Sequence, residues 1–152
     1  MLFEINKNKL TKFHSSWSPK ELELEKYLIT SVESEEPVLN ASVFGEPLLL
    51  ISNQVKTRYK KRADILAMDR SGNGVIVELK RDQGSLGVET QALQYLSDFS
   101  RYRGESFIKH FSKGDDSLRN SMLSFMGADA RDENINKNCR IILLARSFDP
   151  TI

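Results

Sequence analysis

The sequence predicts a layered α/β domain, and the order of its apolar patterns is the main reason. A helical pattern near the N-terminus is followed by short strands, a second helix and a final strand. Chains of this kind pack helices against a sheet. The chain has 152 residues, 39% hydrophobic and 28% charged, so we expect one globular domain over residues 1–152. Residues 1–17 are expected to form a peripheral segment containing short strands.

The first helix is predicted to begin at Ser18 and to run to about Glu33. Ser18 suits the N-cap, Pro19 suits the first helical position, and Glu21 completes a capping box. An apolar stripe at helical spacing follows, made of Leu22, Leu24, Leu28, Ile29 and Val32. Glu25 falls within this stripe, where an apolar residue would be expected.

The central strands are predicted from short apolar runs. Leu48–Ser52 indicates one strand, and residues 54–62 are expected to continue as a second extended segment. Residues 63–68 and 75–79 flank the turn-rich sequence DRSGNG, which is typical of a β-hairpin. A hairpin centred on Ser71 places Asp64 opposite Glu78, with Cβ atoms roughly 5 Å apart.

This register gathers opposite charges. Glu78 and Lys80 project from one face of their strand, because side chains alternate along it. The hairpin therefore places two carboxylates and an ammonium group on one small patch. That arrangement suits a divalent cation with an adjacent cationic group.

The remaining elements follow in order. Residues 84–87 are expected to form a flexible junction, and residues 88–103 an amphipathic helix. Asp115 and Asp116 can cap a helix over residues 117–126 that ends at Gly127. Residues 131–138 are predicted to be a polar loop, and residues 141–145 a fully buried strand in the centre of the sheet.

Gln91 lies on the face of the 88–103 helix that is expected to pack. This face is otherwise formed by Val88, Ala92, Tyr95, Phe99 and Tyr102. An unpaired buried amide costs roughly 1–3 kcal/mol, so Gln91 must find partners. From the pattern alone, it is either a core glutamine bonded to the backbone or a glutamine facing Glu78 and Lys80.

The spacing Asp-x13-Glu-x-Lys on a hairpin, followed by Gln-x-x-x-Tyr, resembles the PD-(D/E)XK nuclease superfamily. The longer stretches KRADILAMDRSGNGVIVELKRD and QALQY are similar to its branch of NucS-like endonucleases and related uncharacterised prokaryotic proteins. Ala63 stands where the superfamily has its nominal proline. The resemblance implies a restriction-endonuclease-like core, with a mixed central sheet of four or five strands flanked by helices.

The resemblance also implies a set of site residues. Asp64 and Glu78 would hold Mg²⁺ or Mn²⁺ together with the Leu79 carbonyl and waters. A glutamate of the first helix would join them, and we favour Glu25 because capping already explains Glu21. In addition, Lys80 would orient or activate the attacking water, Gln91 would position the lysine or the water, and Tyr95 would support Gln91.

A basic segment directly precedes Asp64. It contains five cations in seven residues, namely Lys56, Arg58, Lys60, Lys61 and Arg62. Such a run is often only a solvated edge strand, but beside a carboxylate site it can contact backbone phosphates. Tyr59 is a candidate for stacking on a base, and Arg81 for extending the same surface. Net charge is only +1, so the local cluster is the sole electrostatic indication of nucleic acid.

The cysteine, the histidines and the apolar runs of the sequence exclude several kinds of site and location. One cysteine, Cys139, excludes an internal disulfide and a multi-cysteine zinc site. His14 and His110 are isolated, which gives no support to a histidine-based nuclease or a catalytic triad. No apolar run approaches the roughly 20 residues that span a bilayer, and no signal-peptide pattern is found. The cytoplasm is the default location, and no membrane partner is expected.

The sequence therefore favours a metal-dependent DNA endonuclease with DNA as its partner and a homodimer as an open possibility. One alternative is a nucleic-acid-binding module on a nuclease-like fold that does not cleave. A second is an oligomerisation or regulatory domain in which Asp64, Glu78 and Lys80 form only an ion-pair network. The chain ends seven residues after Ala145, whereas proteins of this kind commonly continue, so a truncated form is the alternative to a complete domain.

Overall fold

The computed structural model describes residues 3–6, 9–12, 21–30, 37–39, 41–84, 87–127 and 131–148. Within them, the elements in chain order are β1 (Phe3–Asn6), β2 (Lys9–Lys12), α1 (Glu21–Thr30), β3 (Val38–Leu39), α2 (Ala41–Phe44), β4 (Leu48–Lys56), β5 (Arg62–Met68), β6 (Gly74–Gly84), α3 (Val88–Phe99), α4 (Glu105–Ser112), α5 (Asp116–Met126), a 3₁₀ turn (Asp132–Asn134) and β7 (Arg140–Phe148). In this part of the chain, no helix is long and apolar enough to cross a membrane.

Strands β3 to β7 form one mixed sheet in the order β3-β4-β5-β6-β7. The first three pairings are antiparallel, and β6 pairs with β7 in parallel. Strands β1 and β2 form a separate antiparallel pair, in agreement with the short strands expected before residue 17. The predicted α/β class, with a mixed five-stranded sheet flanked by helices, is confirmed.

Helices cover both faces of this sheet. On one face, α3, α4 and α5 contribute Tyr95, Phe99, Phe107, Phe111 and Phe125 to a core that also contains alternate residues of β4, β5 and β6. On the other face, Leu28 of α1 and residues around α2 pack on the intervening strand residues. Two apolar faces account for the nearly continuous hydrophobic runs of β5 and β6.

The central hairpin has the predicted register. Ile65 pairs with Val77 and Met68 pairs with Gly74, so paired residue numbers sum to 142 as expected for a centre at Ser71. Gly72 adopts a φ of 83°, a conformation that glycine tolerates best. The Asn73 amide donates to Asp69 Oδ1 at 2.9 Å and closes the loop.

Two strand predictions were wrong. Residues 54–62 are not one extended segment: β4 continues to Lys56, residues 57–61 form a tight turn, and β5 begins at Arg62. The apolar strand expected at the sheet centre, within β7, instead lies at the end of the five-stranded sheet and is only half-buried. Its apolar run reflects helices packing on it, and the parallel neighbour β6 occupies the more central position.

The observed helix boundaries differ from the predicted ones where residues distant in sequence supply the caps. Helix α3 ends at Phe99 instead of continuing to residue 103, because Asn136 donates to the carbonyls of Phe99 and Tyr102. Helix α4, which the sequence did not predict, begins after Gly104 without a local side-chain cap, and Asp132 accepts the Glu105 amide instead. Leu22 of α1 is 57% exposed rather than part of the packed stripe. Helix α5 has the predicted Asp115 cap and ends before Gly127.

One further prediction lies outside the described residues, and another needs correction. Ser18 and Pro19, the proposed start of the first helix, are among the residues that the structure does not describe. Residues 131–138 are described, and they form more than a polar loop: they contain the 3₁₀ turn and bury both Ile135 and Asn136. Burial of Asn136 follows from its role as a cap for α3.

Candidate active site at the fork of the central sheet

The central sheet splits between β5 and β6. Their pairing ends at Ile65 and Val77, while β5 stays paired with β4 as far as Arg62 and β6 stays with β7 as far as Gly84. Splitting a sheet leaves backbone amides without ladder partners. Asp64 compensates at this point, because its Oδ2 accepts the Leu79 amide at 2.7 Å. The fork thus creates a polar cleft in the middle of an apolar sheet.

A β-bulge in β4 determines which residues meet in the cleft. The register between β4 and β5 shifts by one residue between Leu50 and Ser52. After the shift, the flanking pairs place Gln54 opposite Asp64, which lies one residue beyond the last β5–β6 pair, Ile65 with Val77. Without the bulge, the register of the earlier pairs would have set Asn53 opposite Asp64. Three neighbouring strands therefore carry a row of polar side chains.

Glu25 reaches this row from α1. Its carboxylate is 3% exposed and accepts from Asn53 Nδ2 at 3.1 Å and from Gln54 Nε2 at 2.6 Å. Gln54 Nε2 also lies 3.3 Å from Asp64 Oδ1. Asn53 and Gln54 are adjacent, and both can face Glu25 because Gln54 has a φ of 48°, which interrupts strand alternation. The structure places Glu25 beside Asp64, whereas the side chain of Glu21 lies outside the described part of the chain.

Glu78 is the centre of the cluster. It is 3% exposed, and its Oε1 accepts from Lys80 Nζ at 2.7 Å and from Gln91 Nε2 at 2.6 Å. Its other oxygen, Oε2, is buried and has no hydrogen-bond partner within the described residues. A buried charged oxygen without a partner is rare in folded proteins and calls for a ligand or a function.

Helix α3 supplies the second half of the cluster. Gln91 donates from Nε2 to the Tyr95 hydroxyl at 2.7 Å as well as to Glu78, and the Tyr95 hydroxyl donates to the Arg62 carbonyl at 2.7 Å. Residues four apart lie on one helix face, which explains why the Gln-x-x-x-Tyr spacing allows these linked hydrogen bonds. Of the two sequence interpretations of Gln91, the geometry matches the glutamine that faces Glu78.

Burial raises the pKa values of acidic groups in the cleft above their ordinary values. Burial raises the pKa of Asp64, and the charge of Glu25 adds to this, while the Leu79 amide and Lys80 act in the opposite direction. Burial also raises the pKa of Glu78, where the Lys80 hydrogen bond opposes it and the charge of Asp64 reinforces it. Burial, with the charges of Glu78 and Asp64, raises the pKa of the Tyr95 phenol. Shifts of this kind are concentrated at functional sites.

The donor set fits a hard divalent cation. Three acidic side chains lie in this region: Glu78 bonds the ammonium group of Lys80, and Gln54 bridges Asp64 and Glu25. In the part of the chain described, no three His, Cys, Asp or Glu side chains come close enough to enclose a metal ion alone, and the Gln54 amide bridges Glu25 and Asp64. Two carboxylates completed by a backbone oxygen and waters are nevertheless a ligand set that Mg²⁺ accepts. The Leu79 carbonyl as a ligand stays a prediction.

The basic segment forms the rim of the site. Residues 57–61 make a turn in which the Thr57 amide donates to the Lys61 carbonyl at 2.9 Å. Lys56, Arg58, Lys60, Lys61 and Arg62 are all exposed, and Tyr59 is 38% exposed. The turn joins the cleft directly, since the Arg62 carbonyl accepts from Tyr95. The side chain of Arg81 lies outside the described residues.

Three residues of this region were missed at the sequence level. Asn53 and Gln54 read as ordinary strand residues, because the bulge that turns them toward Glu25 has no local sequence signal. Asp98 of α3 is 7% exposed and accepts the Arg58 amide at 3.0 Å. Its place one turn beyond Tyr95, on the packed face of an amphipathic helix, was a signal of the same kind as Gln91.

The fold resembles that of a known nuclease. The crystal structure of a repair endonuclease from Pyrococcus abyssi superposes with a TM-score of 0.50 and 20% sequence identity, over 90% of this chain and 42% of that protein's chain. At this identity the likeness shows a shared fold, and the present chain spans about two fifths of that protein's length. No family model matches the sequence, and no curated protein matches it.

Proposed function

We propose that this protein is a metal-dependent DNA endonuclease that hydrolyses phosphodiester bonds. The observation that carries the proposal is the fork of the sheet, where Lys80 and Gln91 both donate to Glu78 and Asp64 accepts the amide of Leu79, the residue next to Glu78. The spacing of these residues resembles that of the PD-(D/E)XK superfamily, and the fold is similar to that of a repair endonuclease. Assignment to the NucS-like branch is part of the same proposal.

Each side chain has a role in this chemistry. Asp64 and Glu78 would hold Mg²⁺ or Mn²⁺ with the Leu79 carbonyl, and Glu25 would bind a water of the ion or neutralise it from the side. The ion would polarise the phosphate and lower the pKa of the attacking water. Lys80, 22% exposed and bonded to Glu78, would stabilise the charge that develops on the phosphate.

Tyr95 fixes the orientation of Gln91. Because the Tyr95 hydroxyl donates to the Arg62 carbonyl, its oxygen remains as an acceptor for Gln91 Nε2. The amide nitrogen of Gln91 is thus directed at Tyr95 and Glu78, which leaves its carbonyl oxygen available to accept a hydrogen bond from water. A glutamine held in this way is suited to positioning the nucleophile.

A cleavage assay tests the proposal. The purified protein is incubated with duplex, branched, mismatched and single-stranded DNA in Mg²⁺ or Mn²⁺, beside Asp64→Ala and a metal-free control. We expect metal-dependent cleavage of at least one substrate, abolished by the substitution. Binding to these DNAs without cleavage in any metal would favour the non-cleaving binding module instead.

Metal titration separates the site from a purely structural ion-pair network. An ion that binds only the folded state raises the melting temperature as its concentration increases. We expect Mn²⁺ to stabilise the wild-type protein and to have a much smaller effect on Glu78→Gln. A melting temperature that does not respond to Mn²⁺ would leave Asp64, Glu78 and Lys80 as an ion-pair network alone.

A further inference from the structure

Helix α3 carries a stripe of three polar side chains that ties the cleft to the basic turn. Gln91, Tyr95 and Asp98 follow one another at helical spacing and bond, in turn, Glu78, the Arg62 carbonyl and the Arg58 amide. The turn of residues 57–61, hereafter the basic turn, is therefore anchored to the same rigid helix face as the carboxylate cluster. Its position relative to the site is fixed by backbone contacts.

Asp98 is an unusual residue to find at its position. It lies in the last turn of α3, where the helix dipole disfavours negative charge, and it is almost fully buried. Three contacts compensate: the Arg58 amide at 3.0 Å, Arg58 Nε at 3.5 Å and Arg101 Nη1 at 3.7 Å. Well-packed apolar residues usually stabilise such a place as well as a buried ion pair does, so stability alone gives no reason for this carboxylate.

The cations of the basic turn fall into two groups. Arg58 is exposed but engaged by other residues of the chain: it pairs with Asp98 and donates to Ser97 Oγ and the Tyr59 hydroxyl. Its guanidinium also lies over the Tyr59 ring, at 4.9 Å from the centroid. By contrast, within the described residues no hydrogen bond or ion pair engages the side chains of Lys56, Lys60, Lys61 and Arg62.

Lys60 occupies a backbone position that does not suit it. Its φ is 58°, in the left-handed region where Gly is favoured and other L-residues are strained. The turn is closed by the Lys60 amide, which donates to the Thr57 carbonyl at 3.2 Å. Glycine can replace Lys60 without backbone strain, so the charge at this position can be removed without a cost in stability.

We infer that the basic turn is a preorganised phosphate-binding element in which the cations divide their work. Lys60 and Lys61, flanked by Lys56 and Arg62, contact the DNA backbone, whereas Arg58 and Asp98 are positioning residues that hold the turn against α3. The inference rests on the proposed function for its ligand, the phosphate backbone of duplex DNA. It removes Arg58 from the predicted phosphate contacts and adds Asp98 as the residue that orders the surface.

The salt dependence of binding distinguishes the two groups. Affinity for a fluorescently labelled DNA duplex is measured in EDTA over a range of salt concentrations, so that cleavage plays no part. Each phosphate contact contributes about 0.9 to the slope of log affinity against log salt. We expect Lys61→Ser and Lys60→Gly each to reduce the slope by about that amount. Arg58→Gln should weaken binding without changing the slope, and a slope reduced as much as in Lys61→Ser would overturn the inference.

Lys60→Gly also separates binding from stability. Glycine relieves the left-handed strain, so the melting temperature should not fall while DNA affinity does. The matched control is Lys113→Gly, because Lys113 is another exposed lysine with a left-handed φ, 52°, at the end of α4. This control should leave both the affinity and the salt slope unchanged. Unaltered binding by Lys60→Gly would contradict the assigned contact.

Asp98 gives a test in which two explanations predict opposite signs. Simple electrostatics predicts that removing a carboxylate beside a basic surface strengthens DNA binding. Positioning predicts that Asp98→Ala weakens binding by about threefold to tenfold, since the turn must then be ordered on binding. Asp98→Asn, which keeps an oxygen for the Arg58 amide, should recover part of the loss. Tighter binding by the alanine variant, or no binding of duplex DNA by the wild type, would overturn the inference. The expected pattern without any metal-dependent cleavage would overturn the proposed endonuclease alone.

Discussion

The two ends of the β5–β6 hairpin bury polar groups in opposite ways. At the turn end, Asn136 is fully buried and satisfies three backbone groups: its Oδ1 accepts from Gly74, and its Nδ2 donates to Phe99 and Tyr102. Asp69 beside it accepts from Asn73 and Arg140. At the fork end, Glu78 Oε2 has no partner within the described residues, and the pKa values of Asp64 and Glu78 are raised.

The difference separates a structural network from a functional one. Satisfied buried polar groups stabilise a unique fold, whereas groups kept at an electrostatic disadvantage must be retained for another reason. Both ends belong to the same hairpin of the same sheet. Substitutions at one end should therefore change stability, and substitutions at the other should change activity.

The largest effect is expected from Asp64→Asn. The asparagine oxygen can still accept the Leu79 amide, so the free energy of unfolding should be unchanged or higher, because a buried carboxylate with a raised pKa is removed. Loss of a metal-binding charge should lower cleavage on the order of a thousandfold, or about 4 kcal/mol. Cleavage rates and melting curves are measured on the same preparations. The matched control is Asp69→Asn, which should lose stability and keep its activity per folded molecule. Equal activity of the two variants would abolish the contrast.

Asn136→Ala should be the most destabilising change at the turn end. It leaves two carbonyls and one amide without partners, and it places alanine at a φ of 54°. We expect a loss of about 3 kcal/mol in the free energy of unfolding, measured by denaturant titration. Asn120→Ala on the exposed side of α5 is the surface control. A neutral result for Asn136→Ala would show that the network at this end does not stabilise the fold.

Gln91→Ala should reduce cleavage on the order of a hundredfold, the scale of one positioned hydrogen-bonding group. Stability should change by less than about 1 kcal/mol, because Glu78 keeps Lys80 and Tyr95 keeps the Arg62 carbonyl. Thr90→Ala, at an exposed position of the same helix, is the control, and it should affect neither property. If Gln91→Ala instead loses stability in proportion to activity, Gln91 and Tyr95 stabilise the fold and have no separate part in cleavage.

The smallest effect concerns pH. Because burial raises the pKa of Glu78 in the folded state, the folded protein binds this proton more tightly than the unfolded chain does. The stability of the wild type relative to Glu78→Gln should therefore be greatest below pH 4.5, the ordinary pKa of glutamate. It should be lost as pH rises through the raised pKa of the folded state. A tenfold difference in proton affinity is worth about 1.4 kcal/mol. Unfolding free energies between pH 8 and pH 4 give the difference directly, and a difference that is flat over this range would contradict the raised pKa.

The sequence by itself determined the central hairpin and its charges. Alternation along two strands around a glycine-containing turn predicted the observed hairpin register, which brings Asp64 to the strand that carries Glu78, and the four-residue spacing placed Gln91 and Tyr95 on one helix face. These predictions succeeded because the relevant interactions are local, or are related by a short turn. The layered α/β class followed from the order of elements for the same reason.

Only the tertiary structure decided which other groups complete the site. Glu25 meets Gln54 across 29 positions of sequence, and it does so through a bulge and a left-handed residue that carry no local signal. The end of α3 and the start of α4 depend on Asn136 and Asp132, caps supplied from more than 25 residues away. The basic segment became a turn held by Asp98, 40 residues downstream. Local pattern specifies what a segment can form, whereas buried polar groups take their partners from whichever element the packed sheet and helices bring within hydrogen-bonding distance.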